Sequence, residues 1–583
     1  MQQHTSKLQE KTKLDSPFSH LLYTNLIPTD DERDLIQEHL TKPRQELAAL
    51  DTTITKLQHA LQALFKKRVE LNEIIQAHRM LLSPFRQLPT EIVREIFLFC
   101  LPPTHNALMS TQQAPLVLGR VCSRWRSIAY ATPRLWSSIH IPFPSAPFPQ
   151  SLTTPVDTNS TFGQIWNAFL EKLRKHVNAV EEWLSRSGTC PLSISFYPSS
   201  NRSIVPAIQN SHEYRIKMYL DKIIRFSHRW VSLDMAILPG PISSYMALIS
   251  ASAVPVLGSV KLVFTTGTHS FQWKNSGLLN AKHLRRFRLV NFPYRMELSV
   301  DWPTLTHIAL TESGTIASLM TLQRTHIMLT SCRRLVYLEL QAHDVPTGFS
   351  PIGPICLPAL HWLVVRDTRA FHLATLFDCF EVPSLRYISY HTLWFPSSQH
   401  RRCPLTALLP RTNGLLQELS TDVRLLELDD LRKIFEYAPK LKRFTQSQHP
   451  IGISNSQVVR LSNLPIKAVQ AFLRLLIPES GGPVHLPQLE TMDLQHAPGI
   501  QDLDALHFIQ QRMELSHSSI GLTPLRSIRV VFSQEMAHDI RPSLSRYLEK
   551  GLIVQLKYPS MCDMFLSKGR FDPHDGLTGL RVY

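Results

Sequence analysis

The hydrophobic positions of this chain change period along its length. From Leu47, apolar residues recur alternately every three and four positions: Leu47, Leu50, Ile54, Leu57, Leu61, Leu64, Leu71, Ile75 and Leu82. Arg68 and His78 occupy the two polar places in that series. A seven-residue repeat sustained without a helix breaker predicts one coiled-coil helix over residues 43–83, ended by Ser83-Pro84. Such a seam suits either a second copy of the chain or the chain's own later helices. Residues 1–42 are polar and mixed, with Pro17 and Pro28, and are expected to be disordered.

Two short amphipathic helices are predicted next, within residues 84–141. Pro89 stands in a first turn, where its missing N–H costs nothing. Glu91 and Glu95 lie near the positive end of that helix dipole. Ile92, Val93, Ile96, Phe97 and Cys100 form one apolar face, and Pro102-Pro103 stops the helix. The second helix is expected from about Pro115. Leu118, Val121, Cys122, Trp125, Ile128 and Ala129 form its apolar face, Thr132-Pro133 ends it, and Leu135-Trp136 fold back on it. Two helices of this size bury too little surface to close a core alone. Their apolar faces need another surface, in this chain or in a partner.

The blocks L-P-x-E-I-V-x-x-I-F, V-C-x-x-W-R-x-I-A and P-x-L-W, in that order, resemble the F-box. The resemblance covers about a tenth of the chain. It implies a unit that docks on a Skp1-like adaptor and, through it, joins a cullin-based ubiquitin ligase as the subunit that recognises substrate. Carried onto this sequence, it implies adaptor contacts from Leu88, Pro89, Ile92, Val93, Ile96, Phe97, Val121 and Trp125. The segment 102–117, PPTHNALMSTQQAPLV, departs from the family pattern by being longer and more polar than the usual link.

Residues 142–160 are rich in Pro, Ser and Thr and read as a linker. A helix is predicted from Gln164 to Gly188, with Gly188 as its C-cap, then a strand through Leu192, Ile194 and Phe196. A helix over roughly 212–228 leads to a strand Trp230–Ile237. From Trp230 the pattern apolar-x-x-apolar-x-apolar recurs, as in Leu284/Phe287/Leu289, Leu335/Leu338/Leu340 and Leu385/Ile388/Tyr390. Nine copies are complete, and two more, from Leu416 and Leu441, are incomplete. Six of the eleven have proline two places before the first apolar residue: Pro255, Pro303, Pro358, Pro383, Pro439 and Pro487. Period and pattern resemble leucine-rich repeats, which stack one short parallel strand per unit. No copy has the asparagine expected after its last leucine, so the resemblance implies an irregular solenoid over 161–560, with a tail or cap at 561–583. An ordinary α/β domain with similar strands is the alternative. The fold class expected is α plus α/β: coiled-coil helix, helical docking unit, repeat region.

Composition narrows the function. The eight cysteines form no C-x-x-C pair, which signals neither a zinc site nor a disulfide framework and suits a reducing compartment. The N-terminus lacks the apolar core of a signal peptide, and no 18-residue apolar run predicts a membrane span, so cytoplasm or nucleus is expected. Net charge is +16, but the basic residues occur in short runs such as Lys66-Lys67-Arg68, without a nucleic-acid-binding motif. Phosphate-cradling glycine motifs, H-E-x-x-H and G-x-S-x-G are all missing, so neither an enzyme nor a cofactor is expected. In the repeats, the second and fourth positions after the first apolar residue point away from the core. They place Arg286, Arg288, His307, Tyr337, Trp362, Tyr387 and Arg443 on one strand-lined face, a candidate surface for an acidic or phosphorylated protein substrate. A repeat scaffold that binds partners outside any ligase is the alternative function. Self-association through the coiled coil is a further expectation.

Overall fold

The computed structural model describes residues 16–22, 24–82, 84–143, 161–198, 209–238, 241–265, 272–292, 296–312, 321–343, 349–369, 372–392, 402–447, 468–477, 484–497, 499–518 and 521–558. The expected linker, beyond Pro142 and Phe143, and the expected 561–583 tail lie outside these residues. The chain divides into two compact units, residues 1–93 and 94–583.

The first unit is dominated by one helix, α1 (Asp30–Leu81). It starts earlier than the heptads suggested, so residues 30–42 are helical and Pro43 lies inside the helix. The cause is a capping box. The Thr29 N–H donates to Glu32 Oε2 at 2.8 Å, and the Glu32 N–H reaches Thr29 Oγ1 at 3.4 Å. Asp30, Asp31 and Glu32 then sit at the positive end of the helix dipole. A 3₁₀ turn, Pro84–Gln87, leads into α2 (Thr90–Phe99), which crosses into the second unit.

The second helix of the expected pair is shorter than predicted. A 3₁₀ turn at Leu118–Arg120 precedes α3 (Ser123–Tyr130). Cys122 is extended, with φ −158° and ψ 172°, which ends the run from Pro115, and its Sγ caps α3 by accepting from the Trp125 N–H. Val121 is therefore outside the helix.

Among the described residues, fourteen parallel strands hydrogen-bonded in sequence order form one sheet, and Ile355–Cys356 pairs with Phe380–Glu381 in a separate two-stranded one. The strands of the large sheet are β1 (Ser138–Phe143), β2 (Leu192–Pro198), β3 (Trp230–Ile237), β4 (Ser259–Phe264) and β5 (Arg286–Phe292). Then come β6 (His307–Glu312), β7 (Tyr337–His343), β8 (Trp362–Arg369), β9 (Tyr387–Thr392) and β10 (Glu418–Thr421). The last are β11 (Arg443–Gln446), β12 (Thr491–Ala497), β13 (Ser527–Phe532) and β14 (Ile553–Lys557). Helices or 3₁₀ turns lie between most of them, including α4 (Thr161–Arg186), which closes on Gly188 at φ +56°. The helix expected over 212–228 is α5 (Gln209–Ile223) followed by a 3₁₀ stretch, Ile224–Arg229.

All eleven repeat copies fall on strands, and the alternate apolar residues are core: from Leu233 and Met235 to Ile528 and Val530, none is more than 4% exposed. The sheet begins earlier than the repeats suggested, because β1, inside the docking segment, pairs with β2. The recurring proline also has a sharper role than ending an element. Each closes a turn whose last N–H belongs to the first apolar residue, as in Leu360 N–H to Leu357 O (3.1 Å) and Leu385 N–H to Val382 O (3.1 Å). Pro358 and Pro383 take the second place of those turns, where a φ near −65° is favoured.

Candidate functional site

The apolar face predicted on α2 is two faces. Val93 and Phe97, four residues apart, turn inward and are 1% and 0% exposed. The Phe97 ring packs on Trp125 of α3, with centroids 4.9 Å apart. Val93 and Phe97 are core, and Trp125 is half-buried against them. The outward stripe is Ile92, 48% exposed, half-buried Ile96, and Phe99, 88% exposed. Their spacing of four and three keeps them on one side of a helix. Sequence reasoning missed Phe99 although it continues the Ile92–Ile96 spacing. Pro89 is exposed, Leu88 is half-buried, and Val121 is exposed ahead of α3.

The long link 102–117 has a structural task. Ala107 and Leu108 are buried, and Leu108 forms a parallel bridge with His140 of β1. The His140 N–H donates to Ala107 O at 2.8 Å, and Asn106 Nδ2 donates to Ser195 Oγ of β2 at 3.1 Å. The link thus occupies the outer edge of the first strand, which would otherwise present unpaired backbone groups. Trp136 is fully buried, donates from Nε1 to Ala129 O at 2.9 Å, and meets Trp183 of α4 edge-on at 4.9 Å. The Arg186 guanidinium lies over Tyr130 and Trp136, 4.1 and 4.9 Å from their centroids. From α3 onward, the docking segment and the sheet share one core.

On the sheet, six of the seven predicted substrate residues fall in one row, and Arg288 stands two positions further along β5, in register with Lys261 and Ala309. Backbone register pairs Arg286 with His307, His307 with Tyr337, Tyr337 with Trp362, and Trp362 with Tyr387. The row continues through Glu418 to Arg443. His307 stacks on Tyr337 with centroids 6.0 Å apart, and Trp362 leans on Tyr387 at 5.3 Å. Partial burial, with nearby Arg286 adding to it, lowers the His307 pKa, which favours a neutral ring in this ladder.

The arginines are not equivalent. Arg288 and Arg366 both pair with Glu339, at 3.1 and 2.7 Å, and the Glu339 side chain is only 3% exposed. Tyr337 OH donates to the same carboxylate at 3.1 Å. Arg443 pairs with Glu418 at 3.2 Å. Two of the three predicted substrate-binding arginines therefore already have carboxylate partners within the chain. Arg286 is exposed and makes no ion pair among the described residues. Beside this row, Lys261 pairs with Asp234 at 3.1 Å, and Tyr197 OH donates to the same carboxylate. From β3 to β8 the strands carry Lys261, Arg286, Arg288, Arg366 and Arg369 against Asp234, Glu312, Glu339 and Asp367, a surplus of one positive charge.

The architecture defines a helical segment that runs into the first strand of a long parallel sheet. Residues 85–142 match the F-box-like family, over the stretch that holds α2, α3 and β1. F-box domains generally bind Skp1-like adaptors. A search of curated proteins found no match. No helix among the described residues is long and apolar enough to cross a membrane.

Proposed function

We propose that this chain is the substrate-recognition subunit of a Skp1–cullin–F-box ubiquitin ligase. In this reading the outward stripe Ile92–Ile96–Phe99, with Leu88, Pro89 and Val121, docks the adaptor. The observation that carries it is the exposure of large apolar side chains on α2 inside the segment that matches the F-box-like family. Exposed apolar residues in a row are a liability that a partner surface relieves. The strand region acts as a leucine-rich-repeat-like solenoid, and its ring row, flanked by Arg286, captures an acidic or phosphorylated protein segment with an apolar anchor. The chain performs no chemistry of its own. It contributes proximity between substrate and the ligase's other subunits.

The shared core around Trp136 and Trp183 supports the pairing of the two tasks, since the end of the docking segment packs against the helix that follows β1. It also dictates the assay, because the segment up to β1 is not a free-standing unit. Full-length chain should retain purified Skp1 on a column, and Ile92→Asp with Phe99→Asp should abolish retention. Trp362→Ala and Arg286→Glu should each abolish substrate capture and leave Skp1 retention intact. Retention unaffected by the two aspartates would refute the docking surface.

A further inference from the structure

The seam of α1 is in solvent along its whole length. Leu47, Leu50, Ile54, Leu57, Leu61, Leu64, Leu71 and Ile75 are between 50% and 65% exposed. The same phase continues backward through Pro43 and Leu40 to Ile36, so the apolar series runs nearly the full helix. A row of this size calls for an occupant, and the charges along α1 indicate which one.

Residues 30–50 carry six acidic and three basic side chains, net −3, whereas residues 51–81 carry three acidic and five basic, net +2. The first turn is Asp30, Asp31 and Glu32, and the last turn contains His78 and Arg79. A second copy aligned in parallel would set like halves side by side. It would also set Arg68 against Arg68 within the seam, two cations at one level of an apolar interface, which is costly. A second copy aligned antiparallel removes both conflicts. Full overlap places residue 30 beside residue 81 of the other copy. Ile36 then meets Ile75, Leu40 meets Leu71, Leu47 meets Leu64, and Arg68 meets Pro43 in place of another arginine. The acidic half lies along the basic half twice, and the two helix dipoles oppose each other favourably.

We propose that α1 is the dimerisation element of this protein and that it pairs with a second copy in antiparallel orientation. The dimer holds its two chains apart. A 52-residue helix is about 78 Å long at roughly 1.5 Å per residue. The chains leave their helices at Leu81, so the two docking segments depart from opposite ends of the pair.

The test places the photo-crosslinking residue p-benzoylphenylalanine at Leu71 in the full-length chain, with isotopically heavy and light copies mixed before irradiation. The expected heavy–light crosslinks join position 71 to residues around Leu40. A slip of one heptad would move them to Leu47 or Arg33, still in the partner's first half. Crosslinks from 71 to residues around 71 of the other copy would establish a parallel pair and overturn the proposal. Crosslinks only within one chain, or a monomer mass by light scattering, would overturn dimerisation itself. Because Leu71 is exposed, the substitution leaves the fold intact. Circular dichroism of the variant checks this, and a second crosslinker at Leu64, expected near Leu47, repeats the test from an independent position.

Discussion

The division of α2 into an inward and an outward stripe makes a prediction that separates folding from docking. Phe97→Ala removes a fully buried ring, at a cost of about 3–5 kcal/mol. It also dissolves the aromatic pair with Trp125, whose geometry contributes roughly 0.5–1.5 kcal/mol beyond burial, part of which that range already includes. Phe99→Ala, two residues on, truncates a ring that is 88% exposed and should change stability by less than about 0.5 kcal/mol. For adaptor affinity the order should invert. If Phe99 and Ile92 fill pockets on the adaptor, each truncation should cost about 2 kcal/mol, roughly thirtyfold in Kd. Urea unfolding gives the first quantity and calorimetric titration of purified Skp1 gives the second. Phe97→Leu serves as a gentler control, since it keeps the core filled. The reasoning fails if Phe99→Ala and Ile92→Ala bind Skp1 as tightly as the parent. It fails equally if Phe97→Leu weakens binding as much as they do while stability is unchanged, because Phe97 would then be a direct contact.

Glu339→Leu should destabilise the sheet by about 1–3 kcal/mol in urea unfolding, because it leaves Arg288 and Arg366 facing each other without their shared carboxylate. The two arginines are partly exposed, which keeps the loss below that of a fully buried pair. Arg286→Glu should alter stability by less than about 0.5 kcal/mol, because Arg286 is exposed and has no carboxylate partner among the described residues. Gly277→Ala should lower the yield of folded protein and cost more than about 3 kcal/mol in urea unfolding, since an added Cβ would overlap the backbone of Ser250 and Ala251. Burial, aided by Lys172, holds the His176 imidazole down at about 4, against an unfolded value of 6.5. The unfolded chain therefore takes up the proton first, so stability is full above pH 6.5 and falls as pH drops towards 4, by about 3 kcal/mol. Urea titrations at pH 7 and pH 5 should show this slope, and His176→Gln should flatten it.

Periodicity alone was enough for the body of the long helix and for the strands of the eleven repeat copies. A run such as Leu335/Leu338/Leu340 puts every second side chain on one face of an extended backbone, and burying that face leaves no other register open. The chemistry of the outer face was legible for the same reason: residues at equal offsets in successive copies become lateral neighbours, so Arg286, His307, Tyr337, Trp362 and Tyr387 fall in one row. What tertiary structure decided was which of those residues are available. Arg288 and Glu339 come from copies separated by the whole of β6, and only strand order brings their side chains to 3.1 Å. The same limit applied on α2, where Ile92, Val93, Ile96 and Phe97 look alike as a pattern. Trp125, 28 residues beyond Phe97, selects which side of the helix is core. The segment 102–117 carries no period and read as an overlong link, yet Leu108 bridges to His140 along the first strand. Sequence determines local period because that period is a property of one element. Partner choice among charges, edges and faces depends on contacts between elements, which exist only once the chain has folded.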